Sequence, residues 1–118
     1  MTKQTYLIKT AFLKALAHPL RLQILEILCR SESSVGQFAQ SLGVDQPTVS
    51  RHLGILKQGG LVIARQEGVS VLYKIQNEDI ARFLQKLTEL LKRKLQTDQD
   101  LLKVVLLPMG RANCSKPS

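Results

Sequence analysis

One segment limits the folds open to this chain more than any other, the run SVGQFAQSLGVDQPTVSRHLGILK that begins at Ser34. Ser34 with Gln37 three residues later has the form of a capping box, which satisfies free amides at the start of a helix. Gly43 suits the left-handed residue that ends a helix, and Asp45 suits the cap of the next one. The pattern therefore predicts two short helices joined by a tight turn, over residues 35–42 and 46–58.

The second of these helices is rich in small polar residues. In a helix-turn-helix unit the second helix lies in the DNA major groove, where polar side chains meet base edges. Val49, Leu53 and Leu56 share the inward face, so the polar residues divide between the groove and solvent. We therefore predict DNA contacts from a set of polar residues of this helix: Gln46, Thr48, Ser50, Arg51, His52 and Lys57.

The chemistry of these predicted contacts follows from each side chain. Gln46 has the amide that pairs with adenine, and Arg51 suits a two-pronged contact with guanine. Gln46 and Ser50 are four residues apart on one face while Thr48 points elsewhere, so at least one of the three is expected to contact phosphate. His52 has two alternatives, a contact with the DNA backbone or packing at the helix edge.

Hydrophobic spacing predicts the elements on either side of this unit. Apolar residues at helical intervals predict helices over about 3–17 and 20–29, with Arg21 facing outward from the second. The β-prone runs LVIAR and VLYKI, joined by QEGVS, predict a hairpin. Asn77 is then expected to cap a long last helix, which is predicted as far as Gln96.

In order, these elements predict a mainly α fold with a small β-hairpin, a winged helix-turn-helix with the order α-α-α-α-β-β-α. The length of 118 residues suits one domain, and we predict a DNA-binding and dimerisation domain over 1–108 with a flexible tail over 109–118. The first and last helices have broad apolar stripes that so small a core covers poorly. A homodimer built on these two helices is therefore favoured over a monomer in which they pack only on each other.

The predicted hairpin, or wing, carries further candidates for DNA contact. Its tip is expected to approach the minor groove or the flanking phosphates. A purely solvated hairpin is the alternative. Arg21 is a further candidate for a backbone contact. The wing candidates are Arg65, Gln66, Ser70 and Lys74.

The overall charge agrees with a polyanionic partner. Seventeen Lys and Arg residues against nine Asp and Glu residues give a net charge of +8. Such a balance favours long-range attraction to double-stranded DNA.

Three phrases of the chain carry a resemblance to a known family: LKALAHPLRLQIL from Leu13, SVGQFAQSLGVDQPTVSRHLGILKQGGLV from Ser34, and RQEGVSVLYKI from Arg65. Together they resemble the ArsR/SmtB family of bacterial repressors over roughly residues 13–75. The resemblance implies a homodimer that binds a palindromic operator and blocks transcription until an unidentified inducer lowers its affinity for DNA.

The same resemblance directs attention to the residues that sense a signal. Many members bind metal through two thiols on the third helix, where this chain has Ser34 and Gly36, and others use Asp, His and Glu of the last helix, where Asp79 has no His downstream. No metal site and no cofactor are therefore predicted. Some members sense oxidants with two thiols, which makes Cys29 and Cys114 a candidate redox sensor. The alternative is that Cys29 is a small core residue.

Other classes of function lack the residues they need. The chain has no recognisable pair of catalytic carboxylates, nucleophile constellation or phosphate-cradling loop, so an enzyme is not predicted. A winged-helix module that contacts another protein is the alternative function, but it would expose apolar residues where Thr48, Ser50 and Arg51 stand. No apolar run approaches the ~20 residues of a membrane span, and no signal peptide is evident, so a cytoplasmic protein without a membrane partner is expected.

Overall fold

The computed structural model describes residues 2–95. The predicted boundary between residues 108 and 109 lies outside them. Within residues 2–95 the chain forms five α-helices and one three-stranded antiparallel sheet. In chain order the elements are α1 (Lys3–Leu16), α2 (Pro19–Leu28), β1 (Ser33–Ser34), α3 (Val35–Leu42), α4 (Gln46–Gln58), β2 (Val62–Glu67), β3 (Ser70–Ile75) and α5 (Glu78–Lys94).

The predicted fold class is confirmed, and the sheet has one strand more than predicted. Strands β2 and β3 form the expected hairpin, with Val62 opposite Ile75 and Glu67 opposite Ser70. The short strand β1 adds to the other edge of β3 and gives the order β1-β3-β2. A two-residue strand of serines has no β-branched or alternating pattern to reveal it, so only its pairing with β3 defines it.

The core lies where α2, α3 and α4 meet the start of the hairpin. Each of these helices turns an apolar stripe inward, as the spacing of its hydrophobic residues predicts. Burial of these side chains is the main favourable contribution to folding. The largest fully buried side chains are Phe38, Ile24, Leu25, Leu53, Leu56, Leu61, Val49 and Val62.

Helix α1 approaches the end of α4 closely. A Cβ atom placed on Gly59 would lie 3.0 Å from the Cβ of Ala15, which is closer than carbon atoms normally pack. The absence of a side chain at Gly59 therefore lets α1 lie against the helix that carries the predicted DNA contacts.

Helices α1 and α5 expose apolar side chains. Phe12 of α1 and Phe83 of α5 pack edge to face, with ring centroids 5.9 Å apart. Beyond that contact, large side chains on both helices stay open to solvent, and we call them the exposed apolar set: Leu7, Ile8 and Leu13 of α1 with Leu90 of α5, each more than half exposed. Among the described helices, none has the length and apolar character needed to cross a bilayer.

Candidate nucleic-acid interface

The turn between α3 and α4 is fixed by local hydrogen bonds. Ser34 and Gln37 form the predicted capping box: the Gln37 amide donates to Ser34 Oγ and the Ser34 amide donates to Gln37 Oε1, at 3.3 and 2.8 Å. Gly43 then ends α3 with φ of +66°, a left-handed conformation that favours glycine. Val44 packs partly against the core beneath the turn. The direction in which α4 leaves the turn is therefore set by the residues between the two helices.

Asp45 caps α4 and holds Thr48. The Thr48 amide donates to Asp45 Oδ2 at 3.1 Å, and the Thr48 hydroxyl donates to Asp45 Oδ1 at 2.8 Å. The hydroxyl and then the amide hydrogen bond lower the pKa of Asp45, so the carboxylate stays ionised. Thr48 therefore uses its hydroxyl proton within the protein.

Three of the predicted DNA contacts stand exposed on the first half of α4. Gln46, Ser50 and Arg51 are open to solvent, while Val49 and Leu53 on the opposite face are fully buried. The buried face fixes the rotation of α4 about its axis, and with it the direction in which the exposed side chains point. Lys57 is also exposed, in the last turn of the helix.

His52 lies on the other side of α4. Its side chain is only 3% exposed, and Arg21 Nη1 approaches its Nδ1 atom at 3.3 Å. The rings of His52 and His18 lie 4.4 Å apart between centroids. Of the two alternatives for His52, the structure supports packing inside the protein and does not support a contact with DNA. Burial, followed by the neighbouring His18, Arg51 and Arg21, lowers the pKa of His52.

Arg21 also lies inward, which corrects the prediction that it faces outward as a backbone contact. Besides His52, its guanidinium contacts the backbone carbonyl of Lys14 at the end of α1, with Nη2 to O at 3.3 Å. Its Nε atom is buried. Helical spacing contained the missed signal, because residue 21 precedes the buried positions Ile24, Leu25 and Leu28 by three, four and seven residues.

The same spacing places residue 52 among the buried positions Val49, Leu53 and Leu56 of α4. The polar character of His52 favours an exposed position, whereas its place on the helix favours the core. Spacing could have shown that both Arg21 and His52 face inward, but not that they meet.

The four candidate residues of the wing differ in the partners of their side chains. Arg65 is paired with two carboxylates: its Nη2 lies 2.8 Å from Oε1 of Glu32 in the loop before β1, and its Nη1 contacts Glu67 of its own strand. These hydrogen bonds, and the charges of the two carboxylates, raise the pKa of Arg65. Arg65 therefore has less capacity to bind a phosphate than the sequence suggests.

The other wing candidates are open to solvent. Ser70 and Lys74 on β3 are exposed, and Gln66 Nε2 donates to the carbonyl of Gly68 at 2.9 Å in the turn of the hairpin. Val69 forms the tip of the wing and is fully exposed. The tip therefore projects away from the core.

Among the residues considered for sensing, those that the structure describes occupy ordinary structural positions. Ser34 caps α3, and Gly36 lies in its first turn. Cys29 is the C-cap of α2 and is partly buried against the core. Cys114 lies outside the described residues. Within residues 2–95, no group of three or more His, Cys, Asp and Glu side chains comes together as metal ligands would.

The arrangement of α3, α4 and the β2–β3 wing defines a winged helix-turn-helix DNA-binding protein. A model of the arsR family of bacterial regulatory proteins matches residues 18–64. Rv0081 of Mycobacterium tuberculosis, named as an HTH-type transcriptional regulator, is 40% identical over 91 residues, which cover 76% of this chain and 80% of that protein. The chain belongs to the arsR family, whose members are transcriptional regulators and not enzymes, as its motifs predict.

Solved structures of relatives have the same fold. The crystal structure of Rv0081 superposes with a TM-score of 0.77 at 36% identity and covers 81% of this chain and 97% of that one. A homodimeric winged helix-turn-helix DNA-binding domain from Mycobacterium bovis gives 0.75 at 34% identity, over 82% of this chain and 93% of that domain. The biofilm growth-associated repressor of Agrobacterium fabrum is 39% identical over 75 residues, 64% of each chain.

Proposed function

We propose that this regulator is a homodimeric, cytoplasmic repressor that binds a palindromic operator and is released by an inducer or by thiol oxidation. The observation that carries the proposal is the polar, exposed first half of α4, whose opposite face is locked into the core. A helix held in this way presents its side chains to a groove with little loss of conformational freedom on binding.

The exposed residues divide by chemistry into base and phosphate contacts. The Gln46 amide has a donor and an acceptor for a base edge, and the Arg51 guanidinium has paired donors for one. Ser50 on the same side reaches a base or a phosphate. Thr48, whose hydroxyl proton is held by Asp45, is assigned to the DNA backbone as an acceptor of water-mediated contacts. Lys57 at the end of α4 adds a phosphate contact.

The wing supplies the contacts that flank this helix. We assign Lys74, Ser70 and Gln66 to phosphates or to the minor groove, because their side chains are exposed on the hairpin. Arg65 supports them by fixing the wing to Glu32. The alternative of a protein-contact module is disfavoured, because α4 exposes Gln46 and its polar neighbours where such a module needs apolar ones.

The exposed apolar set supports the homodimer. Leu7, Ile8, Leu13 and Leu90 stay in water in a single protomer, at a cost of roughly 25 cal/mol for each Å² of apolar surface left uncovered. A second copy related by a two-fold axis covers such a surface and places two copies of α4 on two half-sites. The homodimeric state of the Mycobacterium bovis relative and the repressor name of the Agrobacterium relative agree with this proposal.

The proposed switch joins Cys29 and Cys114 in a disulfide. Two thiols give up two protons and two electrons to an oxidant such as diamide, and one S–S bond forms. Cys29 ends α2, and α2 contacts α4 through Arg21 and His52, so a change at Cys29 has a route to the DNA-reading helix. A thiol in the C-terminal segment of either protomer is a candidate partner.

DNA binding is tested by titrating the wild type and two matched variants onto the DNA upstream of its own gene. Arg51→Ala removes a proposed base contact, and Arg82→Ala removes the same charge from the exposed face of α5, where Arg82 pairs with Asp79. We expect Arg51→Ala to lower affinity about tenfold or more and Arg82→Ala to leave it near the wild type. Equal effects of the two variants would contradict DNA reading by α4.

The switch is tested on the same DNA fragment with diamide and then with excess reductant. We expect diamide to weaken binding by the wild type, reductant to restore it, and Cys114→Ser to be insensitive to both. A Cys114→Ser protein that responds to diamide like the wild type would refute the disulfide and leave an inducer as the means of release.

A further inference from the structure

Three helices meet at one hydrogen-bonded group, partly buried and centred on the buried His52, that the proposed DNA contacts do not use. Arg21 on α2 reaches His52 of α4 through Nη1, at 3.3 Å, and the Lys14 carbonyl of α1 through Nη2, also at 3.3 Å. The His18 side chain caps α2, where its Nδ1 accepts from the Leu20 amide at 3.0 Å. Its ring lies 4.4 Å from that of His52.

This contact requires a neutral His52. A guanidinium has only donors, so the Nδ1 atom of His52 must be the acceptor, and the ring proton must lie on Nε2. A protonated ring has N–H groups on both nitrogens and cannot accept. It would also add a positive charge beside Arg21 and Arg51, on a residue that is only 3% exposed.

The group formed by Arg21, His52 and His18 also connects the helix with most of the exposed apolar set to the helix with the proposed DNA contacts. Helix α1 carries most of the exposed apolar set, and α4 carries Gln46, Ser50 and Arg51. Arg21 contacts both helices through one rigid, planar group. The tight approach of Ala15 to Gly59 brings the same two helices together at the C-terminal end of α4.

We propose that Arg21 and His52 are positioning residues that hold α4 against α1 and α2 in the DNA-reading orientation, and that acid weakens DNA binding by protonating His52. The inference rests on the proposed function, because the orientation of α4 affects DNA binding only if α4 enters the operator. It assigns no DNA contact to either residue. The groups that face His52 are His18 from the α1–α2 junction, Arg21 from α2 and Arg51 from α4 itself, so every charged neighbour opposes protonation.

The sign of the pH effect distinguishes this role from simple electrostatics. Protonation of an exposed histidine near DNA adds positive charge and strengthens binding to phosphates as the pH falls. Protonation of His52 breaks the contact with Arg21, so binding weakens instead. The pKa of His52 is lowered, so the loss begins below the ordinary histidine range of about pH 6.5.

The test measures DNA affinity from about pH 8 to about pH 5 for the wild type and three variants. His52→Asn keeps an acceptor near the position of Nδ1 but cannot titrate. His52→Leu removes the acceptor, and His18→Asn keeps a cap for α2 while removing the neighbouring imidazole ring. We expect the wild type and His18→Asn to lose affinity in acid and His52→Asn to show no such loss. His52→Leu should bind about tenfold more weakly than His52→Asn at neutral pH.

A salt titration separates positioning from phosphate contact at Arg21. Each phosphate contact contributes about 0.9 to the slope of log K against log salt. We expect Arg21→Met to lower affinity with an unchanged slope, whereas a lost phosphate contact would lower the slope by about that amount. A changed slope, or a wild type and a His52→Asn protein with the same pH profile, would overturn the inference.

The free protein provides a readout that does not depend on the operator. We expect the amide NMR signals of α4 to shift with pH in the wild type and not in His52→Asn. If no DNA fragment binds, the proposed function fails while these spectra still decide the inference. Identical titrations of the α4 amides in the two proteins would refute it.

Discussion

At the scale of single residues, the start of α4 depends on one carboxylate. Asp45 accepts hydrogen bonds from both the amide and the hydroxyl of Thr48, and both lower its pKa. An oxygen acceptor at this position satisfies an amide that the helix itself leaves free. The negative charge also interacts favourably with the positive end of the helix dipole.

Asp45→Ala should therefore lower the midpoint of urea denaturation at neutral pH, because α4 loses its cap. Asp45→Asn retains an acceptor and should recover most of the difference. Since the folded pKa of Asp45 is lowered, the contribution of its charge is complete above the ordinary Asp pKa and is lost as the pH falls through the folded value. An alanine variant as stable as the wild type would show that the cap contributes nothing.

The residues that sequence predicts well are those whose partners are close in the chain. Ser34 with Gln37, Asp45 with Thr48, and Asn77 with the Ile80 amide each act across three residues, so their types and spacing identify them. The Arg21–His52 and Arg65–Glu32 contacts join residues 31 and 33 positions apart. Such pairs depend on how helices and strands pack, and local spacing does not contain that information.

At the scale of elements, the wing is a hairpin tied to the body of the protein. The pair between Arg65 and Glu32 connects β2 to the loop before β1, and the pairing of β1 with β3 holds the opposite edge. The second tie is the short strand that the sequence did not reveal, and the first involves the residue just before that strand. The bounds of α3 and α4, by contrast, agree with the predicted ones because caps and glycines mark their ends.

Lys74 and Arg65 of the wing should contribute differently to the salt dependence of DNA binding. Lys74→Ala should lower the slope of log K against log salt by about 0.9, the contribution of one phosphate contact. Arg65→Ala should change the slope much less, because its guanidinium is already paired with Glu32 and Glu67. If Arg65→Ala lowers the slope as much as Lys74→Ala does, then Arg65 contacts a phosphate directly.

At the scale of the whole molecule, the exposed apolar set is the basis of the proposed homodimer. Phe12 and Phe83 cover part of the apolar surface of α1 and α5, and the exposed apolar set stays open to solvent in the single protomer. The prediction of a dimer depends on the apolar stripes of α1 and α5, which are larger than the core can cover. Which side chains stay exposed follows only from the packing of α1 and α5 on the core.

Leu7→Glu should convert the dimer to a monomer in light scattering after size-exclusion chromatography. A buried leucine contributes about 1.5–3 kcal/mol, and the substitution removes one from each protomer and adds a charge. Val69→Glu makes the same kind of change at the exposed tip of the wing and should remain dimeric. If Leu7→Glu and Val69→Glu both have the mass of the wild-type dimer, the interface lies elsewhere.

The most direct test of the account is a footprint of the wild-type protein on the DNA upstream of its own gene, with the protein-to-DNA ratio measured in the same complex. A homodimer that places two copies of α4 in successive major grooves should protect two related half-sites about 10 base pairs, or a multiple of that, apart. Two protomers should be bound per operator, and affinity should fall steeply as salt is raised. One protomer per site, or equal binding to an unrelated duplex at about 0.15 M salt, would contradict symmetric operator reading by this protein.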